Sequence, residues 1–231
     1  MRILAIETAT PIASCAVVDA SGVLAETIIP VPMRHLEGLL PAVEEMLARL
    51  GLTPGSIQGL AVSCGPGGFT GLRVGIATAA AWARAREVPV LGVGTLEALA
   101  RVPGVDGLIF PVLDAHRGEV AGALYRVGRD GGAECLAPPL VGPPDVVAAE
   151  AARHPGPVLV GGDGLTRHGA AILAALGARA RAAGPDLHPR AAAVGLVALP
   201  RLARGERTGP EALRPLYGRR PVVWPRQETS G

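Results

Sequence analysis

The residues best placed to do chemistry lie at turns. Glu7-Thr-Ala-Thr10 puts one carboxylate and two hydroxyls side by side, and Asp114-Ala-His-Arg-Gly-Glu119 does something similar in the second half of the chain. Two acid-bearing hairpin turns facing each other across a cleft are how two-lobed phosphotransferases hold a nucleotide–magnesium complex. Each alone also serves as an ordinary turn or cap acid. Gly65-Pro-Gly-Gly-Phe-Thr-Gly71 sits between an apolar strand and a helix. Glycines there allow close backbone approach, and the helix N-terminus favours an anion. The same residues equally fit a tight strand-to-helix turn. Gly161-Gly-Asp-Gly164 also stands between a strand and a helix, and suits either contact with an adenine or a simple reversal of the chain.

Several mechanisms are excluded by what is missing. The 22 Lys+Arg are all Arg. Without a lysine there is no Walker-type phosphate loop, no Schiff base and no kinase with an essential ammonium. His35, His116, His154, His168 and His188 are isolated, with no HxxxH or HExxH spacing, so a metal site on one helix turn is not expected. A GxSxG nucleophile elbow is absent too. Cys15, Cys64 and Cys135 are far apart and form no CxxC. That implies neither a disulfide framework nor a thiolate zinc site, and points to a reducing, cytoplasmic setting.

Those turns must be held by a sizeable core. The chain has 231 residues, 49% hydrophobic and 18% charged, with a net charge of +2. Mean hydropathy is +0.36. This balance argues against disorder and against a protein held to nucleic acid chiefly by a cationic surface. The longest uncharged run, Leu50 to Leu72, is too broken by glycine and proline to span a membrane. Met1 to Glu7 carries a carboxylate where a signal peptide needs apolar residues.

Apolar runs at 2–7, 13–19 and 22–29 read as an antiparallel meander. Leu36, Leu39, Leu40, Val43, Met46, Leu47 and Leu50 recur at helical spacing, with Pro41 either opening the helix or kinking it. A strand at 57–63, a long helix to Arg86, a strand at 89–93 and a short helix at 95–100 follow. The order βββαβαβα indicates a mixed sheet flanked by helices. The second half repeats it more weakly, with strands at 108–115, 118–127, 134–136 and 157–160. Its helices run to about Arg153, over 165–176 and over 191–204, the last interrupted at Pro200. The units expected are 1–102, a second lobe over 103–188, and a terminal helix and tail over 189–231 packing back towards the first lobe. In the long helix Gly71, Gly75 and Ala79 recur every four residues, which lets another helix approach closely, inside the lobe or across a subunit interface.

MRILAIETAT at 1–10, MRH-x3-LLP at 33–41, GPGGFTGLRVGIA at 65–77, GVGTLEALA at 92–100, LDAHRGEVAGALY at 113–125 and P-x-Y-x-R-R at 215–220 together resemble the TsaB (YeaZ) family over nearly the whole chain. The resemblance implies a two-lobed α/β fold of the actin/Hsp70/sugar-kinase (ASKHA) type, each lobe a mixed sheet with flanking helices. It also implies a non-catalytic subunit of the bacterial machinery that makes threonylcarbamoyladenosine in tRNA. Its expected partners are a TsaD-type catalytic subunit, a TsaE-type ATPase and, through the complex, tRNA, with a homodimer in isolation. The family's dimerisation surface is formed by the first two helices, here about 35–50 and 70–86. It points to His35, Leu36, Leu39, Leu40, Val43, Gly71, Leu72, Gly75, Ala79 and Trp82. No cofactor is expected beyond a weak, vestigial nucleotide site at Glu7, Thr8, Gly67, Asp114 and Gly162. Gly68 replaces the usual loop serine, Leu36 replaces a common hydroxyl residue, and Arg219, Arg220 and Arg226 keep positive charge near the end. The alternative from another class is an ATP-dependent small-molecule kinase of the same fold, with Glu7 and Asp114 as its only candidate acids.

Overall fold

The computed structural model describes residues 1–29, 35–102, 104–129 and 132–216, with the backbone alone at 35–37. Strand alternation decides its layering. In β1 (Ile3–Glu7), Leu4 and Ile6 point to one side, and Ile3 and Ala5 to the other. Both sets are buried, so the strand is apolar throughout and central. β1 pairs antiparallel with β2 (Ala13–Asp19), and β2 pairs antiparallel with β3 (Gly22–Ile29). Parallel pairing joins β1 to β4 (Gly59–Ser63) and β4 to β5 (Val90–Val93). The order is β3-β2-β1-β4-β5. The expected mixed sheet is present.

The second sheet has the same plan. β6 (Gly107–His116), β7 (Glu119–Val127), β8 (Ala133–Gly142), β9 (Val158–Gly161) and β10 (Ala180–Gly184) pair in the order β8-β7-β6-β9-β10. β10 was not expected, because Ala-Arg-Ala-Ala-Gly lacks the β-branched residues that mark strands. Parallel pairing with β9 selects it. β8 extends through Pro138-Pro139, which an edge strand tolerates because one side of its backbone needs no donor.

Helices cover both faces of each sheet. α1 (His35–Arg49) and α2 (Phe69–Arg86) pack on the Leu4/Ile6 face. α1 runs through Pro41 instead of starting there. α4 (Pro144–Ala152) and α5 (Gly164–Leu176) cover the matching face of the second sheet, against Phe110 and Val112. The remaining faces are covered by exchange. α3 (Thr95–Arg101) follows the first sheet yet sets Leu96, Leu99 and Ala100 against Ile109 and Leu113 of the second. α6 (Ala191–Ala203) follows the second sheet yet sets Val194, Val197 and Ala198 against Ile3, Ala5 and Val18 of the first.

First-lobe side chains also satisfy the start of α6. Ala191 N–H donates to Ser14 Oγ at 2.9 Å, and Ala192 N–H to Glu26 Oε1 at 3.0 Å. The chain then runs along the β5 edge of the first sheet. Thr208 N–H donates to Val90 O at 2.7 Å, and Leu216 N–H to Cys64 O at 2.7 Å. Among the described residues no helix is long and apolar enough to cross a membrane.

Candidate functional site

A cleft of 680 Å³ lies between the lobes. One wall is the β1–β2 turn, Thr8 to Pro11, with the loop Gly67–Gly71; the other carries Leu113, Asp114, His116 and Asp163. Asp114 is held on several sides. Its Oδ1 accepts the His116 N–H at 2.8 Å, and its Oδ2 lies 3.5 Å from Arg167. Its own N–H donates to Asp163 Oδ1 at 2.9 Å. Burial raises the Asp163 carboxyl, while the Asp114 N–H and the nearby His188 draw it down. The turn beyond Asp114 runs through left-handed backbone at His116, Arg117 and Gly118. Asp163 was not among the expected site residues. Its signal was present, an acid set among glycines at a strand-to-helix turn.

Glu7 does not line this cleft. It is fully buried beneath the turn, with Oε1 accepting the Ala9 N–H at 2.5 Å. Oε2 has no partner among the described residues, and neither has Ser63 Oγ on the adjacent strand. Burial raises the carboxyl to about 7, although the Ala9 N–H, the nearby Ser63 hydroxyl and the Thr8 N–H draw it down. Ser63 therefore acts on Glu7 from outside hydrogen-bond geometry. The expected role of Glu7 as a cleft acid is corrected: it supports the turn from below.

The glycines are likewise taken up by the chain itself. A Cβ on Gly67 would stand 2.5 Å from Ala9 O, and Gly68 N–H donates to that oxygen at 2.7 Å. Thr8 Oγ1 donates to Gly71 O at 2.8 Å. The loop is thus bound to the β1–β2 turn as a tight strand-to-helix turn. Gly162 has φ +125°, and a Cβ there would strike the Val112 carbonyl and press on Leu99. It does not line the cleft. Thr8, Gly67 and Asp114 do line it. Among the described residues no group of three or more His, Cys, Asp or Glu could hold a metal.

The second candidate surface is the outer side of α1 and α2. Here six expected interface residues face inward. Leu39 and Val43 of α1 and Gly71, Leu72, Gly75 and Ala79 of α2 are buried. A Cβ on Gly75 would collide with Thr8 Oγ1 and crowd Ile6, so the small-residue row fits helix to sheet within one lobe. The outward residues are others. Leu40 is 47% and Phe69 55% exposed. Arg73 lies over the Phe69 ring at 5.1 Å. Ala77 and Ala81 are exposed between Arg73 and Arg84, while α1 exposes Glu44 and Glu45. Trp82 is half-buried. The side chains of His35 and Leu36, and Arg219, Arg220 and Arg226, lie outside the described residues.

Comparison with known proteins decides the family. The family model "TsaD: tRNA N6-adenosine threonylcarbamoyltransferase" matches residues 25–149. An uncharacterized protein of Mycobacterium tuberculosis is 38% identical, over 96% of this chain and 94% of its own length. The tRNA threonylcarbamoyladenosine biosynthesis protein TsaB of Escherichia coli is 38% identical over 57% of this chain and 58% of its own. YeaZ from Pseudomonas aeruginosa superposes with a TM-score of 0.80 at 28% identity, covering 94% of this chain and 99% of that one. The chain belongs to the TsaB/YeaZ family. Its fold is also that of the ROK hexokinase from Thermus thermophilus (TM-score 0.52, 15% identity, 89% of this chain and 100% of that one), a likeness of fold alone. In this family member the motif residues Gly67, Gly71 and Gly75 serve close packing against β1 and its turn.

Proposed function

We propose that the chain is a non-catalytic subunit in the biosynthesis of tRNA threonylcarbamoyladenosine, and that it docks a TsaD-type catalytic subunit through the outer sides of α1 and α2. The observation carrying this reading is that outer face: Leu40, Phe69, Ala77 and Ala81 give apolar and small contact points flanked by charge. An acidic α1 beside a basic α2 is self-complementary about a two-fold axis, which favours a homodimer in isolation. A paralogous TsaD-type surface would replace the second copy. A TsaE-type ATPase and tRNA join through the complex.

Nucleotide binding by the isolated chain is weak in this reading. Glu7 is sealed away, Thr8 is committed to Gly71, and Asp114 is already engaged by the His116 N–H and Arg167. The test is co-purification with a TsaD-type subunit, with the mass of the free protein measured alongside. Ala81→Glu, on the outer face, should leave the fold intact and weaken both associations by at least about tenfold, since a charge is stranded in an apolar contact. A folded Ala81→Glu protein that still forms the complex at full affinity would exclude this face. Magnesium-dependent ATP turnover by the chain alone would overturn the non-catalytic assignment.

A further inference from the structure

The loop that lines the cleft with Gly67–Gly71 lines a second cavity with Gly65 and Pro66. This cavity measures 300 Å³ and lies where α3, α6, β7 and β8 meet. Its walls are largely apolar, with Pro138 and Pro139 on one side and Leu96 and Leu216 among the others. Two polar groups inside it lack full partners. Glu97, in the first turn of α3, has Arg201 Nη1 at 3.7 Å, beyond hydrogen-bond length. Arg201 is drawn off by Glu206, which takes its Nε at 2.7 Å. Burial holds the Glu97 carboxyl above the ordinary carboxylate range, even though Arg201, Arg101 and the Gly94 N–H pull it down. Tyr125 is only 5% exposed, and its hydroxyl makes no hydrogen bond among the described residues. Burial, then the nearby Cys135 and Glu97, keep that phenol neutral.

The groups left wanting are a carboxylate and a hydroxyl oxygen, so the ligand that completes them is a donor. The apolar walls suit an aliphatic stem behind it. We propose that this cavity binds the guanidinium or primary ammonium head of an aliphatic cation, with Glu97 and the Tyr125 hydroxyl as acceptors and the proline wall along the stem. The inference is independent of how α1 and α2 are used.

The test is calorimetric titration of the full chain with agmatine, repeated on Glu97→Gln and Tyr125→Phe. Agmatine should bind the unaltered protein. Glu97→Gln should weaken affinity by about tenfold or more, the worth of a charge-assisted hydrogen bond, and Tyr125→Phe by a few-fold. Thermal melts of the variants establish that they are folded. If Glu97→Gln melts below the assay temperature, the Tyr125→Phe loss decides. The proposal is overturned if agmatine does not bind the unaltered protein, or if it binds and removing these two acceptors leaves its affinity unchanged.

Discussion

Glu7 and Asp114 stand at corresponding places, each an acid near the end of the central strand of its sheet, just before the hairpin turn. Their surroundings are opposite. Asp114 faces the cleft, its side chain 17% exposed, with a backbone N–H on one oxygen and an arginine beside the other. Glu7 is closed in, with one oxygen unpartnered and its carboxyl raised to about 7. The long helices differ in the same way. Gly75 in α2 has no room for a methyl group, whereas a Cβ on Gly169 in α5 would meet Leu165 at an ordinary 3.8 Å. A repeated plan therefore fixes where a residue sits on a strand or helix. What it does there depends on the neighbours that pack around it within its own lobe.

The strongest way to break this comparison is at Gly75. Gly75→Arg should abolish the cooperative thermal transition, because it forces a charged side chain into Thr8 and Ile6 at a cost of several kcal/mol, a large part of a domain's stability. A folded Gly75→Arg protein with a near-normal melt would show that α2 does not sit on β1 as described.

Next in size is the pH dependence carried by Glu7. Its carboxyl, raised from 4.5 to about 7, keeps its proton in the folded state where the unfolded chain has lost it. The sign follows: stability from this group rises as pH falls from about 7 towards 4.5, by up to about 3 kcal/mol, and is lost as pH rises through 7. Glu7→Gln should abolish that dependence and raise the melting temperature at pH 8. Denaturant unfolding at pH 5 and pH 8, on both proteins, measures it. A Glu7→Gln variant less stable than the parent at pH 8 would mean that the ionised carboxylate is favourably bound.

Asp114→Asn sharpens the contrast from the other lobe. The same acid-to-amide change should here destabilise, by about 0.5–1 kcal/mol, through the weaker hydrogen bond from His116 and the lost Arg167 pair. A melt at pH 7 would read it, and equal shifts of the same sign in both variants would end the distinction. The smallest effect belongs to Gly169→Ala. With ordinary space and a helical backbone, it should stabilise by up to about 1 kcal/mol. Destabilisation there would place α5 closer to its neighbours than the Leu165 contact allows.

Most elements could be read from the sequence, because their apolar runs and helical stripes are long enough to identify alone. β1 and α2 are of this kind, and so is the repeat of three strands before each α/β unit. β10 could not be read, since its strand character comes from β9 and not from Ala180–Gly184 themselves. The direction of the Gly71/Gly75/Ala79 row was also hidden. Spacing shows that something must approach closely, but only the position of Thr8 and Ile6 says what does. The two turns were visible as acid-bearing hairpins. That Glu7 would point into the layer beneath the cleft, and Asp163 into the cleft itself, depends on register across strands distant in sequence.

The exchange of α3 and α6 bears on how the chain can be made. During translation the first sheet is complete once β5 has emerged, with α1 and α2 already available for one face. Its other face, carrying Ile3, Ala5, Val18 and Leu91, waits until almost the whole second lobe has been synthesised and α6 arrives. The nascent first lobe thus presents a largely uncovered apolar sheet while the second lobe is synthesised, a natural hold for a chaperone. A gene fragment ending after α3 would leave that face permanently uncovered and should yield insoluble protein.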